Sequence, residues 1–459
     1  MARNCIICGG PTGSREHVFP ASLGGRRTNK GIYCDSHNNA YSDLAGIISA
    51  QLDFFNAQLG VVGDHATEPT SVTMTDVASG KQFEMSGARV RFKEPQASPG
   101  LIADGQTVNE MRFNSRREAK DWLREQKDRG IDVQSAKVEE KKAYYLGTAH
   151  KQIKLGGDDE GLRAIGYIAQ TFLAHSFPDV ARLPELQGIK DYTLRGQGGG
   201  FVWWDFGPAS SLPANQFPFG HRVVVGLNAA DGTAYARISF FSTLNFAILF
   251  GNVPVENSRA VITDIDPLAK SPPNDIKTWT EDLALGAVSK PDILTSSLAE
   301  AISTGRAEAQ IIELMRRIVD YQRRTAAAEI LAKVEAAGVL GDSERDALFT
   351  KIVSDEAQRA FRLISYLAND AKQRASNPVE LAFAVLLEEA VELDPTAESG
   401  LSAQATRALD IACQALAKRM SEDSKAGKLD QDRMEMLIGG GPGAAEIGAA
   451  LADKFSPDP

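Results

Sequence analysis

The spacing of apolar side chains changes along the chain and predicts where helices give way to strands. Near the N-terminus, Ile48, Leu52 and Phe55 recur at helical spacing, which predicts a helix that packs on a small module. Farther on, residues 71–75 and 88–92 alternate between apolar and polar side chains, as half-exposed strands do. A change from helix to strand is therefore expected between these two regions.

The middle of the chain mixes both patterns. A helix is predicted over 115–129, where Ser115 is the N-cap candidate, Glu118 completes a capping box and Gly130 marks the end. A second helix is predicted over 160–174. Strands are predicted over 201–206, 221–227 and 234–241, the last two joined by a turn at 230–232. We expect mixed α and β structure throughout this region.

Beyond Trp279 the pattern is almost wholly helical and rich in Ala, Leu, Glu and Arg. Segment 270–274 is the expected linker before this region, because its prolines can neither continue a helix nor enter a central strand. Helices are predicted over 298–336, 343–354, 356–374, 378–393, 403–421 and 431–438. The glycine-rich stretch that starts at 439 predicts a flexible tail.

These patterns predict an α+β multidomain protein. A chain of 459 residues is too long for one ordinary domain. The expected divisions are an N-terminal head over 1–58, a mixed α/β middle domain over 59–269, a helical C-terminal domain over 275–438 and a flexible tail over 439–459.

Composition and charge narrow the classes of function. Hydrophobic residues make up 43% of the chain and charged residues 24%, which is typical of globular proteins with sizeable cores. Apolar stretches are too short for a membrane span and the N-terminus lacks a signal-peptide core, so we expect a cytoplasmic protein that does not engage membranes. The net charge is −10, yet residues 1–42 carry five basic and two acidic side chains, which favours DNA contact through the head alone.

Three of the four cysteines also lie in the head. With one histidine they form two knuckles of equal spacing, Cys5-x2-Cys8 and Cys34-x2-His37. A two-residue spacer lets one tight turn present both side chains to a tetrahedral ion, so the pattern predicts a structural Zn²⁺ site. Such an ion would supply folding energy to a loop-rich segment that lacks a core of its own. The alternative is that Cys5 and Cys8 are merely small buried side chains.

Further polar residues lie between and after the knuckles: Glu16, His17, Pro20, Leu23-Gly24-Gly25, Asn29 and Asn38. In this order they resemble the HNH endonuclease family, whose core is a two-stranded β-ribbon packed on a helix around one divalent metal. The chain departs from the family pattern at His37, where cysteine is usual, although histidine is also a good zinc ligand. The resemblance covers about the first 56 residues and implies a ββα-metal (HNH) fold for the head.

The resemblance also implies a role for each residue. His17, as neutral imidazole, would take a proton from the attacking water, and Asn29 would hold the loop that bears it. Glu16 and Asn38 would bind the catalytic ion, Mg²⁺ or Mn²⁺, through oxygen ligands, with Asn39 as the alternative to Asn38. Basic side chains would contact the flanking DNA phosphates, namely Arg15, Arg26, Arg27 and Lys30.

Each of these residues alone has a plainer interpretation. His17 is then a surface histidine, Glu16 a solvated charge, and Asn29 and Asn38 turn and cap residues. Their order between the knuckles is what favours nuclease chemistry. The remaining histidines have no partner at ligand spacing and are expected to be structural or surface residues: His65, His150, His175 and His221.

We therefore expect an HNH endonuclease that cuts DNA with one metal ion, and the resemblance to the family implies 5′-phosphate and 3′-hydroxyl ends. The large remainder of the chain would sense a signal, target the head or oligomerise, with a homo-oligomer formed through the C-terminal helices and an activating ligand or protein partner. Bacterial restriction and anti-phage effectors often have this arrangement. The rival hypothesis is a zinc-dependent nucleic-acid-binding or scaffold protein whose head does not cut, and the choice between DNA and RNA stays open.

Overall fold

The computed structural model describes residues 4–76, 80–87, 89–103, 106–130, 149–150, 155, 159–206, 214–280, 305–376, 378–392 and 401–455. The chain divides into two compact units. The first comprises Met1–Thr73, Glu84–Arg89 and Lys151–Ile318, and the second Met74–Phe83, Val90–His150 and Val319–Pro459. The fold is α+β with a helical C-terminal region, as the sequence predicts.

The N-terminal part of the first unit holds a short ribbon followed by two helices. These elements are strands β1 (Glu16–His17) and β2 (Thr28–Asn29) and helices α1 (Asp35–Ala40) and α2 (Ser42–Leu59). The two strands pair antiparallel, with Glu16 opposite Asn29. Helix α2 buries Ile48, Leu52 and Phe55, the residues whose spacing predicted it.

Short strands and one helix follow: β3 (Val72–Asp76), β4 (Gln82–Ser86), β5 (Arg89–Phe92), β6 (Gln96–Ala103), β7 (Gln106–Arg112), α3 (Arg116–Asp128) and β8 (Ala149–His150). They form a sheet of order β5-β4-β3-β8 and a β6-β7 hairpin. The N-cap of α3 is Ser115, whose side chain accepts from the Glu118 amide at 3.2 Å. The Glu118 carboxylate accepts from the Asn114 amide instead of that of Ser115. Gly130, at φ +77°, follows the helix as predicted.

The main sheet of the first unit has six antiparallel strands in the order β14-β13-β10-β11-β12-β9. Its strands are β9 (Val202–Trp204), β10 (His221–Asn228), β11 (Thr233–Phe240), β12 (Leu244–Asn252), β13 (Arg259–Ile265) and β14 (Asp275–Thr280). Before them in the chain come α4 (Asp159–Ser176) and α5 (Gln187–Arg195). Helix α4 is buried over most of its length and packs against this sheet and against α2.

One hydrophobic core joins the N-terminal segment to this sheet. The Phe19 ring centroid lies 6.3 Å from that of Phe172 on α4 and 6.2 Å from that of Phe240 on β11. Residues 1–58 therefore lie in the same compact unit as most of 59–269, rather than forming a unit of their own. Aromatic side chains in loops of the head form the contact between the head and the main sheet. Loop residues show no periodic pattern, so the sequence did not predict this contact.

Segment 270–274, the predicted interdomain linker, instead joins two neighbouring strands. Strands β13 and β14 pair antiparallel, with Ile265 opposite Asp275. Asn274 is buried, and its Nδ2 donates to the carbonyl of Asp266 at 3.1 Å. The prolines lie in the connection, outside the ladder of hydrogen bonds, so they do not disturb the sheet. The predicted helical domain over 275–438 thus begins with a strand of the main sheet.

The C-terminal helices are α6 (Arg306–Ala337), α7 (Asp342–Asp355), α8 (Ala357–Arg374), α9 (Pro378–Glu389), α10 (Ala403–Lys425), α11 (Gln431–Gly439) and α12 (Pro442–Phe455). Residues 298–304, predicted to start the first of them, lie outside the described residues. The second unit has its own core, formed by buried side chains such as Phe349, Ile364 and Leu387. None of the helices in the described part of the chain is long and apolar enough to cross a membrane.

Helix α12 corrects the prediction of a flexible tail over 439–459 for the residues up to 455, and 456–459 lie outside the described residues. Ala444, Ile447 and Leu451 are buried in the core of the second unit. Their spacing of three and four residues is that of one helix face. The preceding glycines, Gly440 at φ +132° and Gly441 at φ +48°, form only the turn that separates α11 from α12.

Candidate functional site

The two knuckles bring four side chains together. The ligand atoms of Cys5, Cys8, Cys34 and His37 all lie within 4.8 Å of one another. The Sγ atoms of Cys8 and Cys34 are 3.9 Å apart, and Nδ1 of His37 lies 3.7 Å from Sγ of Cys5 and 3.2 Å from that of Cys34. A tetrahedral ion with metal–sulfur bonds of about 2.3 Å requires ligands about 3.8 Å apart. The cluster could therefore hold a metal ion such as zinc.

Local backbone contacts build each knuckle. The amide of Gly9 donates to the carbonyl of Cys5 at 2.9 Å, and its φ of +70° permits this tight turn. The amide of Ile6 donates to the carbonyl of Ile32 at 3.1 Å, which holds the first knuckle against the segment leading to the second. The second knuckle spans the start of α1, where Cys34 is the N-cap. Short-range turns thus account for each knuckle, and the contact between Ile6 and Ile32 helps to bring the two knuckles together.

The Gly-Gly turn between the ribbon strands also has a steric cause. Gly24 adopts φ +82°, a left-handed conformation that favours glycine. A Cβ on Gly25 would lie only 2.0 Å from the carbonyl oxygen of Phe19. Any other residue at position 25 would push these two backbone segments apart, so the sequence motif reflects a close backbone approach.

Glu16 and His17 are adjacent in β1 and face opposite ways, as successive strand residues do. Glu16 is only 8% exposed, and one carboxylate oxygen accepts a hydrogen bond from the hydroxyl of Tyr167 on α4. Burial raises the pKa of Glu16 to about 7, although the Tyr167 hydrogen bond opposes part of the shift. The sequence did not indicate Tyr167, which lies 151 residues farther along the chain.

Glu16 and Asn38, the predicted ligands of a catalytic ion, have different surroundings. The carboxylate of Glu16 is buried and accepts a hydrogen bond from the hydroxyl of Tyr167 on α4. Asn38 lies in α1, and its Oδ1 has no hydrogen-bond partner among the described residues. Glu16 thus has a protein partner for one carboxylate oxygen, and the roles of Glu16 and Asn38 as ligands of a catalytic ion stay predictions.

His17 belongs to a second cluster. Its Nε2 lies 3.1 Å from Oδ2 of Asp64, and both side chains are about one-fifth exposed, at 20% and 21%. The rings of His17 and His65 meet edge to face, with centroids 5.2 Å apart and planes at 76°. The ligand atoms of all three side chains lie within 4.8 Å of one another. The hydrogen bond with His17 lowers the pKa of Asp64, so this carboxylate remains ionised.

The loop after α2 carries Asp64 and His65 to the ribbon. The amide of Val61 donates to the carbonyl of Asn56 at 2.9 Å, and the amide of Asp64 donates to that of Ala21 at 3.1 Å. Ala21 lies in a short 3₁₀ turn, Ala21–Leu23, which follows β1. These backbone bonds fix the loop, so the position of Asp64 does not depend on its side-chain contacts alone.

Arg26 holds the second oxygen of the Asp64 carboxylate. Its Nη1 lies 3.3 Å from Oδ1 of Asp64, while its Nη2 donates to the carbonyl of Ala269 at 3.0 Å. The carboxylate is therefore oriented from both sides, by Arg26 at one oxygen and by His17 at the other.

The predicted DNA contacts divide into two pairs. Arg15 and Lys30 are exposed. Arg26 and Arg27 take part in ion pairs within the first unit; Nη2 of Arg27 donates to Asp275 at 2.8 Å. This hydrogen bond raises the pKa of Arg27. Arg15 and Lys30 are thus the members of the predicted set best placed to meet a phosphate.

Asn29 connects the ribbon to α4. Its Nδ2 donates to Nδ1 of His175 at 3.0 Å, and its Oδ1 accepts from the amide of Gly31 at 2.8 Å. The predicted role was to hold the loop that bears His17. The observed contacts brace the opposite strand, β2, against α4.

A buried polar network strengthens the same connection. On α4, Nε2 of Gln170 donates to the hydroxyls of Tyr33 and Tyr41 at 3.3 and 3.2 Å. The ring of Tyr41 stacks on that of Tyr167, with centroids 4.8 Å apart. Hydrogen bonds satisfy these buried polar groups and fix the knuckle region on α4.

Two of the histidines expected to be structural or surface residues contact another side chain that is distant in sequence. His65 belongs to the His17 cluster, and His175 binds Asn29. Both contacts join segments distant in sequence, so ligand spacing within a short stretch could not reveal them. The adjacent pair Asp64-His65, directly after Gly63 in a loop, was the one local signal for the first contact.

Fold and site together define an α+β protein with a Cys₃His cluster suited to a metal ion and a second, His–Asp–His cluster between its ribbon and the loop after α2. No protein-family model matches the chain, and neither a curated protein nor a solved structure matches it significantly.

Proposed function

We propose that this chain is a metal-dependent endonuclease that hydrolyses DNA phosphodiester bonds at the His17 cluster. The observation that carries the proposal is the 3.1 Å contact between Nε2 of His17 and Oδ2 of Asp64 on a partly exposed surface. His17 is the residue that the HNH resemblance assigns to the reaction. An ionised carboxylate beside it is an arrangement common to hydrolytic sites.

The chemistry of phosphodiester hydrolysis explains the residue types. The reaction needs an activated water and positive charge near the phosphate. His17 acts on the attacking water, and Asp64 fixes the orientation of its ring. Arg26 keeps the Asp64 carboxylate in place, and the exposed Arg15 and Lys30 hold flanking phosphates.

In this proposal the Cys₃His cluster holds a structural zinc ion. The mixed sulfur and nitrogen donors and their spacings of 3.2 to 3.9 Å support zinc. The cluster supplies no vacant ligand position to a substrate, because four protein ligands complete a tetrahedron. Activation by a ligand or partner, homo-oligomerisation, a cytoplasmic location and a role in anti-phage defence stay predictions.

The test is nicking of supercoiled plasmid by the zinc-loaded protein in Mg²⁺ or Mn²⁺. We compare wild type, His17→Ala and Glu68→Gln, the last being an exposed acid in the loop after Asp64. Wild type and Glu68→Gln should nick, whereas His17→Ala should nick at least about 10²-fold more slowly with its zinc content unchanged. A wild type that binds DNA and never nicks it would favour the zinc-dependent binding or scaffold protein.

A further inference from the structure

The His17 cluster has the composition of a transition-metal site. Two imidazoles and one carboxylate converge, with all their ligand atoms within 4.8 Å of one another. The rings of His17 and His65 meet at 76° without stacking, so both can direct a nitrogen to the same point. Imidazole ligands favour first-row transition ions, whereas Mg²⁺ favours oxygen ligands throughout.

The surroundings of the cluster also suit an ion. Arg26 engages Oδ1 of Asp64 and leaves Oδ2 on the side of His17. Hydrogen bonds of this kind orient ligating carboxylates in metal sites. His65 is exposed, and His17 and Asp64 are each about one-fifth exposed, so water and a phosphate oxygen can reach the remaining coordination positions.

We infer that His17, Asp64 and His65 bind one first-row transition-metal dication, of which Mn²⁺ is a suitable probe. This site differs from the pair predicted from the sequence, Glu16 and Asn38, because Glu16 is buried against Tyr167. His17 then acts on the attacking water through the ion, as a metal ligand by way of Nε2, instead of taking the proton of that water directly. The catalytic use of this ion rests on the proposed nuclease function, although its binding does not.

The role of the ion follows from its ligand count. Three protein ligands leave positions open, and a bound divalent ion lowers the pKa of coordinated water and stabilises charge on a phosphate oxygen. The three ligands would hold the ion between the ribbon and the loop after α2, and Arg26 keeps the carboxylate ligand in its orientation. Asp64 and His65 come from the loop after α2 and lie outside the HNH-like segment, which ends near residue 56.

The test is Mn²⁺ binding by the full-length, zinc-loaded protein. Binding is measured as the loss of the free Mn²⁺ signal in electron paramagnetic resonance. Wild type and the control Glu68→Gln should bind with the same affinity. Asp64→Asn and His65→Ala should each weaken binding at least about tenfold, since each removes one ligand. Pulsed measurements should detect ¹⁴N coupling from two imidazoles in wild type and from one in His65→Ala.

Equal Mn²⁺ affinity in wild type, Asp64→Asn and His65→Ala overturns the inference, as does bound Mn²⁺ without ¹⁴N coupling. Circular dichroism confirms that the variants are folded before they are compared. If Mn²⁺ binds as expected and plasmid stays intact, the metal site stands and the nuclease proposal fails. If plasmid is nicked through His17 while Asp64→Asn and His65→Ala retain full activity and Mn²⁺ affinity, the nuclease proposal stands and the metal site fails.

Discussion

Acidification should destabilise this protein through one buried histidine. His221 is fully buried at the start of β10, where its ring centroid lies 5.0 Å from that of Phe19, 5.7 Å from Phe240 and 4.7 Å from Phe241. Burial among these rings lowers the pKa of His221 to about 3, although the backbone carbonyl of Leu23 opposes part of the shift. Its Nδ1 accepts from the Phe241 amide at 3.3 Å, which also favours the neutral ring.

The magnitude follows from the two pKa values. Because the folded pKa of about 3 lies below the ordinary value of 6.5, the unfolded chain takes up the proton first as the pH falls. The contribution of neutral His221 to the free energy of unfolding is complete above pH 6.5 and is lost progressively down to about pH 3. From about pH 8 to about pH 5, the free energy of unfolding should fall by about 2 kcal/mol from this residue alone.

The assay is urea unfolding at both pH values. Unfolding is monitored by the fluorescence of Trp203 and Trp204, which are buried in the same unit as His221. We compare wild type with His221→Gln, which keeps a hydrogen-bond acceptor and does not titrate. The fall in unfolding free energy on acidification should be about 2 kcal/mol smaller in the variant. An equal fall in both proteins would refute the assignment of this pH dependence to His221.

Three further predictions concern the first unit and its metal cluster. Cys8→Ser should weaken zinc binding at least about tenfold, because one of four ligands is weakened, whereas Cys413→Ser should retain the zinc content of wild type in elemental analysis. Phe19→Ala should lower the free energy of unfolding by about 3–5 kcal/mol, because it leaves a cavity between the ribbon and the main sheet. Asp264→Asn should lower the free energy of unfolding by about 3–5 kcal/mol in the same urea assay, since it leaves the buried Arg222 without its ion-pair partner. A loss below about 1 kcal/mol in Phe19→Ala or in Asp264→Asn would contradict the corresponding argument.

Local patterns predicted the elements that local forces determine. The N-cap at Ser115 needs only four adjacent residues, and the apolar spacing of α2 predicts its buried face. Each half of the Cys₃His cluster likewise follows from one short turn, and the two matched spacings Cys5-x2-Cys8 and Cys34-x2-His37 together indicated the cluster. The resemblance of the head to an HNH module stays a prediction.

Tertiary contacts account for what the sequence did not indicate. Asp64 reaches His17 across 47 residues, and Tyr167 reaches Glu16 across 151. Residue spacing cannot predict contacts over such separations, because they depend on the path of the loop after α2 and on the packing of α4. The prediction of an interdomain linker at 270–274 was wrong for the same reason, because the pairing of β13 with β14 makes this proline-rich segment a connection between neighbouring strands.

Cleavage of an end-labelled DNA duplex by zinc-loaded protein in Mn²⁺ tests the central claim, nuclease chemistry at the His17 cluster, most directly. Wild type and Glu68→Gln should release fragments with 5′-phosphate and 3′-hydroxyl ends, and His17→Ala should release at least about 10²-fold fewer. An intact duplex with wild type, or equal cleavage by zinc-loaded wild type and zinc-loaded His17→Ala, would contradict it.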